Sequence, residues 1–300
     1  MENAKKNTSA AAAAPAVSTA GAEGEMLSQL QSRLRSKKVS LEVEEGVTQE
    51  FFVVEGDMLL DEAELEVYAA QQEMLETERS IKEQRAALGA GDLAPQEERG
   101  RLVGVTQAGK LVRWKPGLTL TYCVLRNTFP SEPSYQTVKN NMKLATLDWE
   151  KICGIKFEHK QGLDSSATTN PSGVVFTVRQ INAGGQFIAS AFFPNDPVNR
   201  RRVLIDPSYF STSFDKVGVL RHELGHALGF RHEHIRSGAP AACPDEDLAN
   251  TLDLTRYDPQ SVMHYFCGGV GSPTLSITGI DKDGAQKLYG LPLNSFFDVG

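Results

Sequence analysis

The sequence predicts an α+β fold over the last two thirds of the chain, preceded by a partly helical leading segment. Two observations along residues 101–300 predict this fold. Some stretches are apolar runs typical of strands, and others have apolar residues three and four positions apart, as in helices. A third observation divides the chain. Residues 1–100 hold 20 acidic and 10 basic residues, a net charge of -10, whereas residues 101–300 carry +3. We therefore predict a tail over residues 1–25, a leading segment over 26–100 and a domain over 101–300.

The apolar residues of the first hundred positions form only short groups. Residues 1–25 are rich in Ala, Ser, Thr and Gly, a composition typical of a disordered tail. Phe51-Phe52-Val53-Val54 predicts a strand, residues 61–88 predict one charged helix, and residues 95–100 predict an exposed linker. An acidic segment before a mildly basic domain favours a prosegment that docks on its own domain. The alternative is a solvated acidic tail that touches nothing.

The domain combines both kinds of element. The predicted strands are 118–124, 174–178, 184–191 and 202–205, of which 184–191 is expected at a sheet edge. The predicted helices are 138–152, a helix that begins after the N-cap Ser213 with Asp215 just inside, and a helix from the capping box at Thr278 to Tyr289.

One stretch carries the chemistry, His222-Glu223-Leu224-Gly225-His226-Ala227-Leu228-Gly229-Phe230-Arg231-His232. His222 and His226 are one turn apart on the same helix face, so both imidazoles can reach one metal ion. Gly229 can adopt the left-handed conformation that ends a helix, which lets the chain deliver His232 as a third ligand. Three protein ligands leave a fourth position open, and this layout is typical of a catalytic zinc site.

Glu223 is adjacent to the first of these histidines, where it can act on a zinc-bound water without binding the metal. The pattern therefore predicts one Zn²⁺ per chain and hydrolysis of peptide bonds, with Glu223 as general base and proton donor to the leaving amine. The alternative for the three histidines is a core helix whose ring nitrogens are satisfied by other groups.

The motif resembles the metzincin zinc peptidases, whose zinc motif is followed by a methionine-containing turn. That turn is Tyr257-Asp258-Pro259-Gln260-Ser261-Val262-Met263-His264-Tyr265. Its Ser-Val-Met-His-Tyr sequence, together with Glu233 after the third histidine, resembles the astacin family. The resemblance implies a twisted mixed sheet, a long active-site helix and a small C-terminal subdomain. It also implies that Met263 is an apolar floor beneath the zinc and that Tyr265 is a reversible extra ligand that stabilises the oxyanion.

The same resemblance gives Glu233 a contact with the new N-terminus of the mature enzyme, after cleavage near Arg99 or Arg101. It also implies that the edge strand pairs with an extended peptide, although a plain sheet edge is the alternative. The chain departs from the family at Ser237-Gly238-Ala239-Pro240, where astacins usually have Asp-Arg-Asp. A metzincin peptidase outside the astacin family therefore stays open.

A second stretch resembles the Phe-x-Gly-Asp sequence of astacin proenzymes, with Val54 in place of the phenylalanine in Val54-Glu55-Gly56-Asp57. The resemblance implies that Asp57 takes the fourth zinc position and displaces the water. A carboxylate is a good oxygen ligand for zinc, and loss of the water removes the nucleophile. The alternative is an ordinary Gly-Asp turn between a strand and a helix.

The cysteines Cys123, Cys153, Cys243 and Cys267 all follow residue 122, which excludes an upstream thiolate that blocks the zinc. Four cysteines without a C-x-x-C pair favour two disulfides over a second metal site. Of three possible connectivities, we predict Cys243 with Cys267, which flank the loop before the methionine turn, and Cys123 with Cys153. Free buried thiols are the alternative.

Composition limits the remaining choices. An apolar content of 40% supports a packed core, and the net charge of -7 argues against nucleic acid as a partner. No run approaches eighteen apolar residues, which excludes a transmembrane helix. We expect a secreted or extracytoplasmic monomer, although the alanine-rich start lacks Leu, Ile and Phe and shows no clear signal peptide.

The predicted function is thus a zinc endopeptidase made as a latent zymogen, with peptides or proteins as substrates and its own prosegment as inhibitor. The alternative from another class is a non-catalytic, zinc-stabilised module that binds peptides.

Overall fold

A computed structural model describes residues 28–29, 31–44, 46–70, 72, 102–235, 240, 243 and 251–295. The predicted tail, the predicted linker over 95–100, both predicted segment boundaries and the predicted helix beyond residue 72 lie outside these residues. So do Arg99, Arg101 and residues 237–239.

The leading segment forms its own small antiparallel sheet. Its strands are β1 (Lys38–Glu44), β2 (Val47–Val54) and β3 (Met58–Leu60), which pair in that order. Helical residues flank the sheet, at 31–35 before β1 and at 62–70 after β3. The predicted strand at residues 51–54 is therefore the second half of β2, and the predicted helix after residue 61 begins where expected.

The main sheet of the domain follows a short hairpin of β4 (Val103–Gln107) and β5 (Lys110–Leu111). Its described strands are β6 (Thr119–Val124), β7 (Lys156–His159), β8 (Phe176–Gln180), β9 (Ala189–Ser190) and β10 (Arg202–Ile205). They are ordered β7-β6-β8-β10-β9, and only β9 pairs antiparallel with its neighbour. The predicted edge strand is thus at the edge, but only its last part is regular. A further strand, β11 (Thr251–Asp253), pairs with β4.

Helices cover one face of the main sheet. They are α1 (Glu132–Glu150), α2 (Lys216–Ala227) and α3 (Gly279–Tyr289). Short 3₁₀ turns occur at Arg126–Thr128, Gln161–Leu163, Val198–Arg200, Pro207–Phe210, Glu233–Ile235 and Leu293–Ser295. The largest core cluster lies between sheet and helices and contains Trp149, Tyr135, Phe176 and Met263. The α+β prediction is confirmed, and no described helix is long and apolar enough to cross a membrane.

Two helix starts differ in detail from the prediction. Helix α1 begins six residues before residue 138, because the side chain of Ser131 accepts a hydrogen bond from the Ser134 N–H and starts the helix there. Helix α2 is capped by Asp215, whose Oδ1 accepts from the Gly218 N–H at 2.6 Å. The predicted N-cap Ser213 was wrong, because the first helical residue is Lys216 and a cap directly precedes that residue.

The sheet of the leading segment packs on the other face of the main sheet. Phe51, Val53 and Leu41 share a buried cluster with Leu204 of β10 and with Phe187. Arginines of the domain reinforce this contact, since Arg200 forms ion pairs with Asp61 and Glu64 and the guanidiniums of Arg200 and Arg202 lie over the Phe51 ring. The leading segment is therefore docked on the domain by an apolar core and by charge.

The cysteines follow only one of the two predicted pairings. Cys243 and Cys267 form a disulfide, whereas Cys123 and Cys153 are free and buried, so the pairing of these two was wrong. These two cysteines do not meet because side chains alternate along β6. Leu120, Tyr122 and Val124 face the helices, so Cys123 faces the other side of the sheet. Cys153 lies in the helix-facing core. Burial raises the pKa of each free thiol to about 12.

Candidate active site

Helix α2 and the turn after it bring the three predicted imidazoles together. His222 and His226 are buried on α2, and Gly229 has a φ of 95°, the left-handed conformation expected at the end of this helix. A β-carbon at Gly229 would lie 2.9 Å from the Val112 carbonyl oxygen, so the position favours glycine for space as well as for conformation. The chain then reverses and places His232, which is fully buried, against the other two rings.

The Nε2 atoms of these histidines surround one carboxylate oxygen. Asp57 Oδ2 lies 3.2 Å from His232 Nε2, 3.3 Å from His222 Nε2 and 3.8 Å from His226 Nε2. His226 Nε2 and His232 Nε2 are 3.1 Å apart. Ligands bound at the usual zinc distances in a tetrahedron are about 3.3 Å from one another. The four atoms therefore have the mutual spacing of a tetrahedral zinc site.

The outer nitrogens of two rings are fixed by backbone carbonyls. His222 Nδ1 is 2.7 Å from Val262 O, and His226 Nδ1 is 2.8 Å from Phe230 O. Such partners orient a ligand ring and leave Nε2 to the metal. Burial lowers the pKa of His226 to about 4 against the opposing effect of Asp57, which keeps this ring in its neutral, metal-binding form. The buried Nε2 of His222 has no hydrogen-bond partner in the described part of the chain. A zinc ion between the three rings would satisfy this nitrogen, so the residues fit the metal.

The methionine turn lies directly under α2. Met263 is fully buried, and a β-carbon added to Gly225 would overlap its sulfur. The turn is held by Asp281 at the start of α3, which accepts hydrogen bonds from Ser261 Oγ at 2.5 Å and from the Val262 N–H at 2.9 Å. The position of Met263 is thus set from both sides.

The sequence analysis pointed to Asp281 and Glu233 but missed some of their contacts. Asp281 was expected only as a capping residue, and the capping box with Thr278 is present, but the same carboxylate also supports the methionine turn. Glu233 is fully buried, and its Oε1 accepts from the Asp258 N–H at 2.9 Å. Glu233 therefore holds the first residues of the methionine turn in place.

Glu223 faces the site from α2 and is almost completely buried. Burial, and to a smaller extent the charge of Asp57, raises the pKa of Glu223 well above its usual range. A carboxylate with a raised pKa is a better proton acceptor near neutral pH, as a general base requires.

Asp57 belongs to the tip of a hairpin formed by β2 and β3, in which Val54 pairs with Met58. At this tip Glu55 and Gly56 have φ values of 53° and 90°, both in the left-handed region. Burial alone would raise the pKa of Asp57, but the imidazoles around the carboxylate outweigh it and hold the pKa well below its usual range. The Gly-Asp sequence therefore forms a hairpin turn, and the turn is inserted between the histidines.

Tyr265 closes over this tip. Its hydroxyl donates to the Glu55 carbonyl oxygen, and its ring lies so close to Gly56 that a β-carbon there would overlap the hydroxyl. The Tyr265 ring also packs on His232, with ring centroids 4.4 Å apart. The tyrosine thus lies beside the imidazoles, with its hydroxyl engaged by the leading segment.

A mainly apolar cavity of about 400 Å³ opens beside the site. His222, Glu223 and Asp57 line it on the side of the imidazoles, and apolar side chains form most of the remainder, among them Ile188, Phe214, Val219, Phe266 and Leu275. Such a cavity, next to polar groups that converge on one point, is typical of a substrate site.

Comparisons with known proteins agree with this geometry. Residues 113–241 match the family model described as matrixin. An alignment with an astacin-like metalloendopeptidase of Coturnix japonica is 34% identical over 105 residues and covers 24% of this chain and 25% of that protein. The chain is 44% identical over 63 residues to an astacin-like metalloendopeptidase of Gallus gallus, which covers 16% and 15%. The matches thus span about a quarter or less of the length of these relatives.

Two solved structures are also similar. Myroilysin superposes with a TM-score of 0.44 at 19% identity, over 62% of this chain and 98% of that one. The hatching enzyme zinc-protease HCE-1 of Oryzias latipes gives a TM-score of 0.39 at 16% identity, over 60% and 94%.

The matched residues include the imidazole-bearing helix and turn, and the recognition made from the sequence is confirmed. The matched part of the chain is thus similar to the matrixin family, and the sequence relatives of the chain include astacin-like metalloendopeptidases.

Proposed function

We propose that this protein is a zinc-dependent endopeptidase that is made as a latent proenzyme. The observation that carries the proposal is the convergence of three buried imidazoles and a buried glutamate beside an open apolar cavity, with Asp57 in the fourth position of the tetrahedron. We assign one zinc ion per chain to His222, His226 and His232. A bound zinc ion supplies Lewis-acid activation of a water molecule and of the substrate carbonyl.

Glu223 is the group that moves the proton. It follows a ligand on α2 but is not one of the clustered metal-binding groups itself. Its raised pKa suits a group that takes a proton from water and returns it to the leaving amine.

Tyr265 supplies a hydrogen-bond donor for the oxyanion. Its hydroxyl is at the edge of the imidazole cluster and is engaged by the Glu55 carbonyl in the latent chain. When the leading segment leaves, the hydroxyl is released next to the site, and a donor aimed at developing negative charge stabilises the transition state.

The leading segment is the proposed inhibitor. Asp57 fills the fourth position, and the packing of Phe51 on the main sheet holds the hairpin in place. We propose activation by cleavage in the linker. In the mature enzyme Glu233 contacts the new N-terminus, as the family resemblance implies, and this carboxylate is already buried and bonded to Asp258 in the latent chain.

We further propose that the enzyme acts outside the cytoplasm as a monomer on extended peptides. The Cys243–Cys267 disulfide supports an oxidising location. The short antiparallel strand β9 is at the end of the main sheet, next to residues that line the cavity, and an edge in this place can pair with a peptide backbone.

The test is cleavage of casein by zinc-loaded protein, with the full chain compared before and after proteolysis in the linker. We expect activity only after processing, and Glu223→Ala should abolish it. If processed protein binds one zinc ion per chain but cleaves nothing, the non-catalytic peptide-binding module becomes the better interpretation.

A further inference from the structure

The end of helix α2 is held by side chains that come from outside the helix. The last carbonyls of an α-helix have no partner within the helix and need a donor from elsewhere. Here Ala227 O accepts from the indole Nε1–H of Trp114 at 2.7 Å. Leu228 O accepts from the Tyr289 hydroxyl at 2.6 Å. Ala227 and Leu228 are fully buried, and a buried carbonyl without a donor is costly, so both side chains matter for this end of the helix.

The two carbonyls that follow fix the path of the chain toward the third imidazole. Gly229 O accepts from a backbone N–H of β4 at 2.9 Å, and Phe230 O is the partner of His226 Nδ1 at 2.8 Å. Gly229 also has the left-handed conformation that reverses the chain. Each carbonyl from Leu228 to Phe230 therefore has a partner, and His232 follows two residues later. The bond at Leu228 O is the one that fixes where the reversal starts.

Tyr289 joins three parts of the domain. It is the last residue of α3, its hydroxyl donates to the end of α2, and the same oxygen accepts from the Trp114 backbone N–H at 3.4 Å. Near the other end of α3, Asp281 holds the methionine turn. Helix α3 therefore supports the site twice, through Asp281 at the methionine turn and through Tyr289 at the turn that leads to His232.

We propose that Tyr289 is a positioning residue for the zinc site, which acts on the third imidazole through the end of α2. Its hydroxyl fixes the point at which the chain leaves the helix, and the reversal then brings His232 Nε2 to within 3.1 Å of His226 Nε2. Groups that orient a ligand from outside the metal shell contribute to metal affinity. This inference rests on the zinc site of the proposed function and adds a residue, far from the zinc motif in sequence, on which that affinity depends.

The chain offers a matched control at the other end of the same helix. The Tyr209 hydroxyl accepts from Asn141 Nδ2 and donates to the carbonyl of Lys216, the first residue of α2, with both distances 2.9 Å. Tyr289→Phe and Tyr209→Phe therefore remove the same kind of bond from opposite ends of α2. Only the bond of Tyr289 lies next to the turn that carries His232.

The test is zinc affinity, measured on the full chain by competition with a chelator, so that catalysis is not needed. We expect Tyr289→Phe to raise the Kd for zinc about tenfold and Tyr209→Phe to leave it within about a factor of two. Urea unfolding of the metal-free chains should show a loss of stability in both variants, which separates positioning from stability. An unchanged Kd in Tyr289→Phe, or an equal rise in both variants, would overturn the inference.

The casein assay separates this inference from the proposed function. We expect processed Tyr289→Phe protein to be less active than the parent at limiting zinc and to regain the parent activity in excess zinc, because Glu223 and the three imidazoles are all present. A loss that excess zinc does not restore would overturn the inference. If no protein cleaves casein but Tyr289→Phe still weakens zinc binding, the proposed function fails and the positioning role is supported.

Discussion

The candidate metal site is built by two regions that reach it in different ways. Helix α2 and the methionine turn are parts of the largest core of the domain, and their positions are fixed by Asp281 and by close contact at Gly225. The hairpin tip at Asp57 comes from a separate small sheet, held by its own apolar cluster and by ion pairs. One region is integral to the fold and the other belongs to a separate sheet, which would leave in the proposed activation, and this difference is what the proposed latency requires.

The largest effect should come from the integral region. Glu223→Gln in processed protein should lower kcat by about 10²–10⁴-fold, the usual contribution of a general base. Zinc content, measured by metal analysis, should stay at one per chain, because Glu223 is outside the clustered metal-binding groups. Activity within a factor of two of the parent would show that another group takes the proton.

Asp281 tests how firmly the methionine turn is held. Asp281→Ala leaves the buried donors at Ser261 and Val262 without their acceptor, and we expect a loss of about 3 kcal/mol in the free energy of unfolding. Thermal or urea unfolding measures it. Asp283→Ala, an exposed position on the same helix, is the control and should change stability by less than about 0.5 kcal/mol. Equal effects of the two changes would remove the support for a fixed turn.

The detachable region should respond in activity rather than in stability. Asp57→Ala in the unprocessed chain should raise casein cleavage about tenfold or more, because the fourth zinc position is no longer filled by a protein ligand. Glu50→Ala removes a carboxylate of the same sheet that forms only an exposed ion pair with Lys38, and it should leave the chain latent. A silent Asp57→Ala chain would mean that the packing of the segment alone maintains latency.

The smallest effect is a pH dependence at Asp164, which directly follows the 3₁₀ turn Gln161–Leu163 and bonds to the end of β6, away from both regions. Burial would raise the pKa of Asp164, but hydrogen bonds from His159, from the Tyr135 hydroxyl and from the Val124 N–H outweigh it and hold the pKa below its usual value. A carboxyl whose pKa is lower in the folded state stabilises the protein at pH values above its pKa in the unfolded chain. This contribution is lost as the pH falls through the pKa of the folded state.

We therefore expect Asp164→Asn to be less stable than the parent by about 1 kcal/mol at pH 6–7, with the difference shrinking below pH 4. Urea unfolding at a series of pH values measures it. A difference that does not change between pH 7 and pH 3 would contradict the assignment.

What could be predicted from the sequence follows the same division. The clustering of His222, His226 and His232, the proposed zinc ligands, could be predicted because helix periodicity and a glycine-ended turn fix their relation locally. Resemblance brought Asp57 to attention, but nothing in the sequence predicted that it is at the tip of a hairpin. The pairing of Arg231 with Glu55 was missed for a related reason, since the two residues are 176 positions apart and only the packing of the hairpin on the domain joins them.

The errors also have physical causes. Cys123 and Cys153 were paired because they remained after Cys243 and Cys267, and the sequence does not say which side of a strand a cysteine faces. Asp215, and not Ser213, caps helix α2. A shift of two positions along the chain changes which backbone N–H groups a side chain can reach. Both errors concern the direction or reach of a side chain, which the three-dimensional structure decides.

Gly225 shows that the stability of the helix and the construction of the site pull in opposite directions. A glycine inside a helix is less favourable than alanine by about 1 kcal/mol, so alanine would strengthen α2 considered by itself. The methyl group would, however, meet the sulfur of Met263 and push the floor away from the helix that carries two of the three imidazoles. A programme of stabilising substitutions guided by helix propensity alone would therefore select a change at this residue that deforms the active site.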